Sequence, residues 1–262
     1  AATTAVAVPA SEPSLPATAP VLRTKPLNDK LQEQPHTKDS LVRAPAPEIT
    51  ETVDGLKIPK RGAKDVVASK LYAHPYKRKA DEILISFVIL NAGLDPQSIG
   101  LAMALPPEVT VAYSPYTRSE SSYSENVRAV GHEVWTMLPA MGERYPNDDP
   151  GPLGIIGRMP PEETVRRVRN VLSIIPGSVG VILPPDETIT LQKDTLTPAV
   201  GEINARGLLL LATHPTHSLD QITTNKGLAE ILHRADLILD PTPNETQIKS
   251  RLAGLLDSAK EK

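Results

Sequence analysis

Apolar residues fall into two regimes along the chain. Up to Pro59 they are scattered among prolines and runs of Ala, Thr and Ser, and no period of 2 or 3.6 survives. A stretch of that composition buries too little apolar surface to offset its ordering entropy, so residues 1–68 are expected to form a largely disordered Pro/Ala-rich linker or stalk. From about Asp81 the pattern becomes short apolar runs alternating with helical periods. ILISFVIL (83–90) is a continuous apolar run, as a strand buried on both faces would show. VTVAYSP (109–115), HEVWTMLP (132–139), SVGVILP (178–184), LLLLAT (208–213) and ADLILD (235–240) read as further strands.

Helices are predicted between them. PQSIGLAMAL follows the first strand, and SENVRAVG ends on Gly131 in the C-cap manner. PPEETVRRVRNVLSII begins with Pro and two acids, and it places Val165, Val168 and Leu172 on one face. LTPAVGEINARG stops at Gly207, and a last helix, Glu245 to Lys260, aligns Ile248, Leu252, Leu255 and Leu256. AMGERYPNDDPGPLG is too rich in Pro, Gly and Asp to be anything but a loop. Alternation of strand and helix at this spacing predicts one α/β domain over 69–262, built on a mostly parallel sheet that is open or closed into a barrel.

Charge and composition narrow the chemistry. The net charge is −3, and the densest basic run, RRVR (166–169), lies on a solvated helix face, so nucleic acid is not a partner. The absence of cysteine excludes thiolate zinc sites, thiol catalysis and disulfides. No window approaches the ~20 apolar residues of a membrane helix. An opening without Met, AATTAVAVPA, reads as a processed or trimmed chain, so membrane contact is expected only through an anchor upstream of it.

In folds of this class, sites form at the carboxyl ends of the strands. The first end offers Asn91, a neutral amide and a poor base. The second offers Tyr113, Ser114 and Tyr116, two phenols around a proline that suit either stacking on a sugar or packing. The third, LPAM, is apolar, and Trp135 within that strand suits core packing. The fourth carries Asp186 and Glu187, a solvated turn. The fifth carries His214 and His217, the one metal-like cluster, although Pro215 between them argues for a loop. A zinc ion there needs a third ligand, from Asp220 or Asp240. In NDDPGP, Asp148 and Asp149 suit a turn, because the spacing of a calcium loop is absent. No Ser–His–Asp arrangement, phosphate loop or dinucleotide fingerprint occurs.

LYAHPY, PPEVTVAYSPY, VRAVGHEVWTMLPAM, YPNDDPGPLG, MPPEETVRRVRNVLSIIPGSVGV and INARGLLLLATHPT, taken in order over residues 71–220, resemble the divergent polysaccharide deacetylases, the YibQ-like proteins of Gram-negative envelopes. The resemblance extends more loosely to the last helix. It implies a NodB-like deformed (β/α) barrel of six or seven parallel strands. It also implies a periplasmic or cell-envelope location, and envelope polysaccharide, peptidoglycan or a periplasmic cell-wall protein as partner. The Pro-rich segment fits a stalk between an upstream anchor and such a domain.

The departures from the family are specific. Leu90 and Asn91 stand where it ends its first strand in two aspartates, Met141 where it has a Glu, Pro184 where it has a His, and Ala212 where it has an Asp. The family's final strand, with its Gly-His-Pro segment, is not found in these 262 residues. Metal-dependent deacetylation needs a cation to activate water and a group to move protons, and Leu, Met, Pro and Ala supply neither. The expectation is therefore a catalytically inactive, deacetylase-like domain without metal or other cofactor. Its candidate ligand pocket is Asn91, Tyr113, Ser114, Tyr116, Asp148, Asp149 and His214. The alternative is an active hydrolase with a zinc site relocated to His214 and His217. A third reading is a structural module, for which exposure of Tyr113, Tyr116 and Trp135 is diagnostic.

Overall fold

The computed structural model describes residues 40–80, 82–117, 120–184, 193–214, 217–222, 224 and 226–260. The expected linker needs correction over its second half, because from Ser40 onward the chain belongs to the folded body. Strands β1 (Thr50–Val53) and β2 (Leu56–Pro59) form an antiparallel hairpin, followed by a single-turn helix α1 (Ala68–Leu71). The hairpin turns on Asp54 and Gly55, at φ 50° and 79°, the left-handed conformation that an Asp-Gly pair accepts readily. This segment needs no core of its own, because Ile49, Ile58, Ala68 and Tyr72 bury themselves in the core of the main domain.

The main domain runs β3 (Val88–Ala92), α2 (Pro96–Met103), β4 (Thr110–Tyr113), α3 (Glu120–Ala129), β5 (Val134–Met137), α4 (Pro161–Ile174), β6 (Ser178–Leu183), α5 (Lys193–Ala205), β7 (Leu209–Ala212), α6 (His217–Ile222), α7 (Lys226–Ala229), β8 (Leu232–Arg234) and α8 (Glu245–Lys260). Among the described residues six strands pair in parallel in the order β3-β4-β5-β6-β7-β8. Each strand is laid beside the previous one, so every crossover steps the same way. Right-handed crossovers then put the helices on one face and curl the sheet, as in the NodB-like barrel expected from sequence. All six C-terminal strand ends consequently open at one end of the barrel.

β4, β5 and β6 are buried along their whole length. Trp135 packs across Gly180 on the neighbouring strand, where any side chain would collide with the indole. Val111, Tyr113 and Val134 instead face Ile99, Ala102 and Val127 in a second cluster with α2 and α3.

Two strand predictions shift. The apolar run 83–90 enters the sheet only at Val88, because β4 begins at Thr110, the partner of Val88. β3 is also an edge strand, so Ile83, Leu84 and Ile89 are exposed rather than buried on both faces. The strand predicted at 235–240 lies instead at Leu232–Arg234. β7 ends at Ala212, opposite Arg234, and leaves the following residues no ladder to join.

The N-terminal segment crosses beneath the strands' N-terminal ends. Its Ser69 N–H donates to the carbonyl of Gly207, just ahead of β7, at 3.1 Å. The fully buried Arg128 at the end of α3 donates to the carbonyls of Tyr72 (3.2 Å), Gly177 (3.0 Å) and Val42 (2.5 Å). Its guanidinium also sits 4.7 Å above the Tyr72 ring. Glu133 holds the segment too, accepting from the His74 amide at 2.7 Å.

Candidate functional site

The strand-end mouth is where related sites would form, and β3 reaches it through an irregular turn. The β3–β4 register shifts between Ile89 and Ala92, and Asn91 in that bulge takes φ 58°. Asn is among the few side chains that tolerate this region, which gives Asn91 a backbone reason to be there. Its amide N–H donates to the Met137 sulfur at 3.1 Å, so a thioether from β5 closes this strand end from inside. The Asn91 side chain itself is exposed.

The other altered positions are equally apolar in their surroundings. Leu90 is half-buried against the main core, and Pro184 and Ala212 are buried. The Met141 methyl lies 3.1 Å from where a Cβ on Gly157 would stand. Thr213, next to Ala212, turns its hydroxyl back to the Leu183 carbonyl at 2.9 Å. Among the described residues no group of three or more His, Cys, Asp or Glu side chains is placed to hold a metal ion. At the altered positions themselves, Leu90, Asn91, Met141, Pro184 and Ala212, the side chains offer one neutral amide and one thioether, a set that does not fit a catalytic divalent cation.

The structure divides the predicted pocket residues. Tyr113 is completely buried toward the helices, not the mouth, and burial pushes its phenol well up. Its place in the pocket is therefore corrected: the strand's alternation turns Tyr113 to the helix face. Trp135 is also core, and of the three aromatic residues named as diagnostic of an interface only Tyr116 is exposed. Ser114 is buried and accepts from the Tyr116 amide at 3.3 Å, which shapes the turn after β4.

Tyr116 and the NDDPGP loop do come together. The Tyr116 hydroxyl donates to the Pro150 carbonyl at 2.5 Å and accepts from the Leu153 N–H at 3.2 Å. Asp149 accepts from the Gly151 N–H at 2.8 Å, and Asp148 pairs with Arg144. Both aspartates are exposed turn-formers, as the sequence suggested. His214 is half-buried, with its Nδ1 buried and without a hydrogen-bond partner among the described residues. His217 opens α6, but its side chain, like Pro215, Asp186 and Glu187, lies outside the described residues. Asp220 is engaged by Arg234 at 2.7 Å, and Asp240 is exposed.

A family model described as divergent polysaccharide deacetylase matches residues 87–262, about two thirds of the chain. The chain belongs to that family. A crystal structure of an uncharacterized protein from Agrobacterium tumefaciens C58 is similar in fold, with a TM-score of 0.71 and 24% identity over 79% of this chain and 84% of that one. No curated protein matches. Within the family fold, sequence reasoning missed Tyr145 and Arg144 in the loop after β5, and the clamp made by Arg128. The Asp-Gly pair at 54–55, between TETV and LKIP, was the available signal for the folded N-terminal hairpin.

Proposed function

We propose that this is a catalytically inactive member of the divergent polysaccharide deacetylase family, kept as a binding domain for envelope glycan or for a protein that handles it. The observation that carries the reading is the Met137 sulfur against the Asn91 amide at 3.1 Å, at the strand end where water activation would be centred. The burial of Pro184 and Ala212 supports it, because neither position offers a donor to a cation or a base to a proton. The proposed setting is the periplasm or cell envelope, with peptidoglycan or another envelope polysaccharide as the glycan and no metal or cofactor required.

The test is a pair of measurements on the purified full chain: metal content, and acetate released from N-acetylated chito-oligosaccharides. The expected result is no stoichiometric metal and no release above the uncatalysed background. Chelator-sensitive release of acetate overturns the reading.

A second reading, a hydrolase with zinc relocated to His214 and His217, is favoured by the buried Nδ1 of His214, which has no partner among the described residues. Against it, Asp220 is already committed to Arg234. It requires that exchanging both histidines for Ala abolishes turnover without moving the melting temperature.

A further inference from the structure

We propose that the loops after β4 and β5 form a preorganised stacking platform for an uncharged polysaccharide chain, with the rings of Tyr116 and Tyr145 as its sugar-facing surfaces. The inference rests on the binding reading above and gives it a place and a ligand class. The chain holds only eight aromatic residues, one Trp, one Phe and six Tyr. Three of the tyrosines are exposed, Tyr76 at 54% outside the strand-end loops, and Tyr116 and Tyr145 at 38% and 39% within them. Each of these two rings forgoes only a part of the ~2 kcal/mol that full burial supplies, and both stand on adjoining strand-end loops, where a ligand can meet them.

The loop that carries Tyr145 is fixed at several points. At its root, the Ile155 N–H donates to the Pro139 carbonyl and the Met141 N–H to the Ile155 carbonyl, both at 2.8 Å. Arg167 on α4 holds the Gly154 carbonyl. At its outer turn the Tyr116 hydroxyl grips Pro150 and Leu153, and Gly151 leaves no room for a side chain because a Cβ would stand 2.8 Å from that hydroxyl. A surface held this way binds without a large ordering cost.

The chemistry points to sugars. A pyranose offers a C–H face to an aromatic ring and hydroxyls at its edge, and the loop that carries Tyr145 also carries the exposed polar residues Asn147, Asp148 and Asp149. Tyr145 and Pro150 are five residues apart, at most about 17 Å along the chain, and the Tyr116 hydroxyl sits on the Pro150 carbonyl, which brings the two tyrosines within reach of one oligosaccharide. Residues 143–149 carry Glu143, Asp148 and Asp149 against Arg144 alone, and this excess of negative charge disfavours polyanionic chains.

The experiment is calorimetric titration of the full chain with N-acetylchitohexaose, and with polygalacturonate as the anionic counterpart. Binding of the first and not the second is expected. Tyr145→Ala and Tyr116→Ala should each weaken it roughly tenfold, the scale of one lost ring contact. Tyr116→Phe keeps the ring but releases Pro150 and Leu153, and should weaken binding by a smaller factor. The Tyr145→Ala variant, at an exposed position, should keep the wild-type melting temperature. Unchanged affinity in both alanine variants overturns the platform. So does a wild-type chain that binds neither polymer, or only polygalacturonate. The acetate-release assay tests catalytic inactivity separately, so either idea can fail while the other stands.

Discussion

Beneath the N-terminal ends of the strands, Arg128 is fully buried yet reaches three backbone carbonyls, and Glu133 ties the His74 amide to the same region. At the C-terminal ends Met137, Pro184 and Ala212 are buried together with the uncharged Ser114 and Thr213, and Asp148 and Asp149 are exposed. Burying a charge costs several kcal/mol unless its donors are matched, so a polar side chain at such depth marks a place where structure or chemistry requires it. At the base that requirement is structural: Arg128 joins the N-terminal segment to the barrel. At the mouth the proposed loss of catalysis would remove that requirement, and Pro184 and Ala212 are buried there. The segment VRAVGHEV, part of the family resemblance, thus serves assembly at the base, and the proposed loss of catalysis concerns the mouth alone.

The sharpest way to break this contrast is to remove the base's charge. Arg128→Met leaves the carbonyls of Tyr72, Gly177 and Val42 without their donor and should cost about 3 kcal/mol or more in urea unfolding. Proteolysis should then cut first within residues 40–76. A variant with wild-type stability would show that the clamp is incidental.

A smaller effect is expected where the hairpin meets α5. Glu202 accepts from Arg169 at 2.7 Å and from Arg206 at 2.8 Å, and Arg206 in turn pairs with Glu51 on β1. Burial pushes the Glu202 carboxyl up, but the two arginines more than offset it and hold the group below its ordinary value. A depressed folded value means that the stabilisation is fully present above the unfolded carboxylate range, near pH 4.3. It is lost as the pH falls through the lower folded value. Glu202→Gln should cost about 2 kcal/mol at pH 7. It should also flatten the wild type's loss of stability below about pH 4.3, as read from urea midpoints across that range. Identical slopes in both proteins would remove Glu202 from the acid response.

Most of the sheet was legible because a parallel strand with helices over it announces itself as an apolar run, as at 178–184 and 208–213. α8 was legible to its ends because Ile248, Leu252 and Leu255 repeat at helical spacing. The N-terminal hairpin was hidden for the opposite reason. Its strands are four residues each and dock on a surface made elsewhere, so no periodic pattern of their own develops. Ile83 and Leu84 misled because an apolar run does not say whether a neighbouring strand begins early enough to cover it. At the mouth, residue type identified Pro184 and Ala212 as non-donors, but it did not tell Tyr113 from Tyr116. Only the strand's facing separates the buried phenol from the exposed one, and a strand that ends between them makes that facing illegible in sequence.

The smallest expected effect tests the mouth directly. Asn91→Asp restores an acid at the strand end while keeping a short side chain that tolerates φ 58°. Stability should stay within about 0.5 kcal/mol of wild type, since the exposed side chain is not what the Met137 sulfur contacts. Metal content should also stay unchanged, because one carboxylate beside Leu90, with Pro and Ala at the family's other ligand positions, is far short of the three protein ligands a catalytic zinc needs. If Asn91→Asp alone acquires a stoichiometric zinc ion in dialysis equilibrium, donors must already stand around that position, and the mouth is a dormant metal site rather than a packed one.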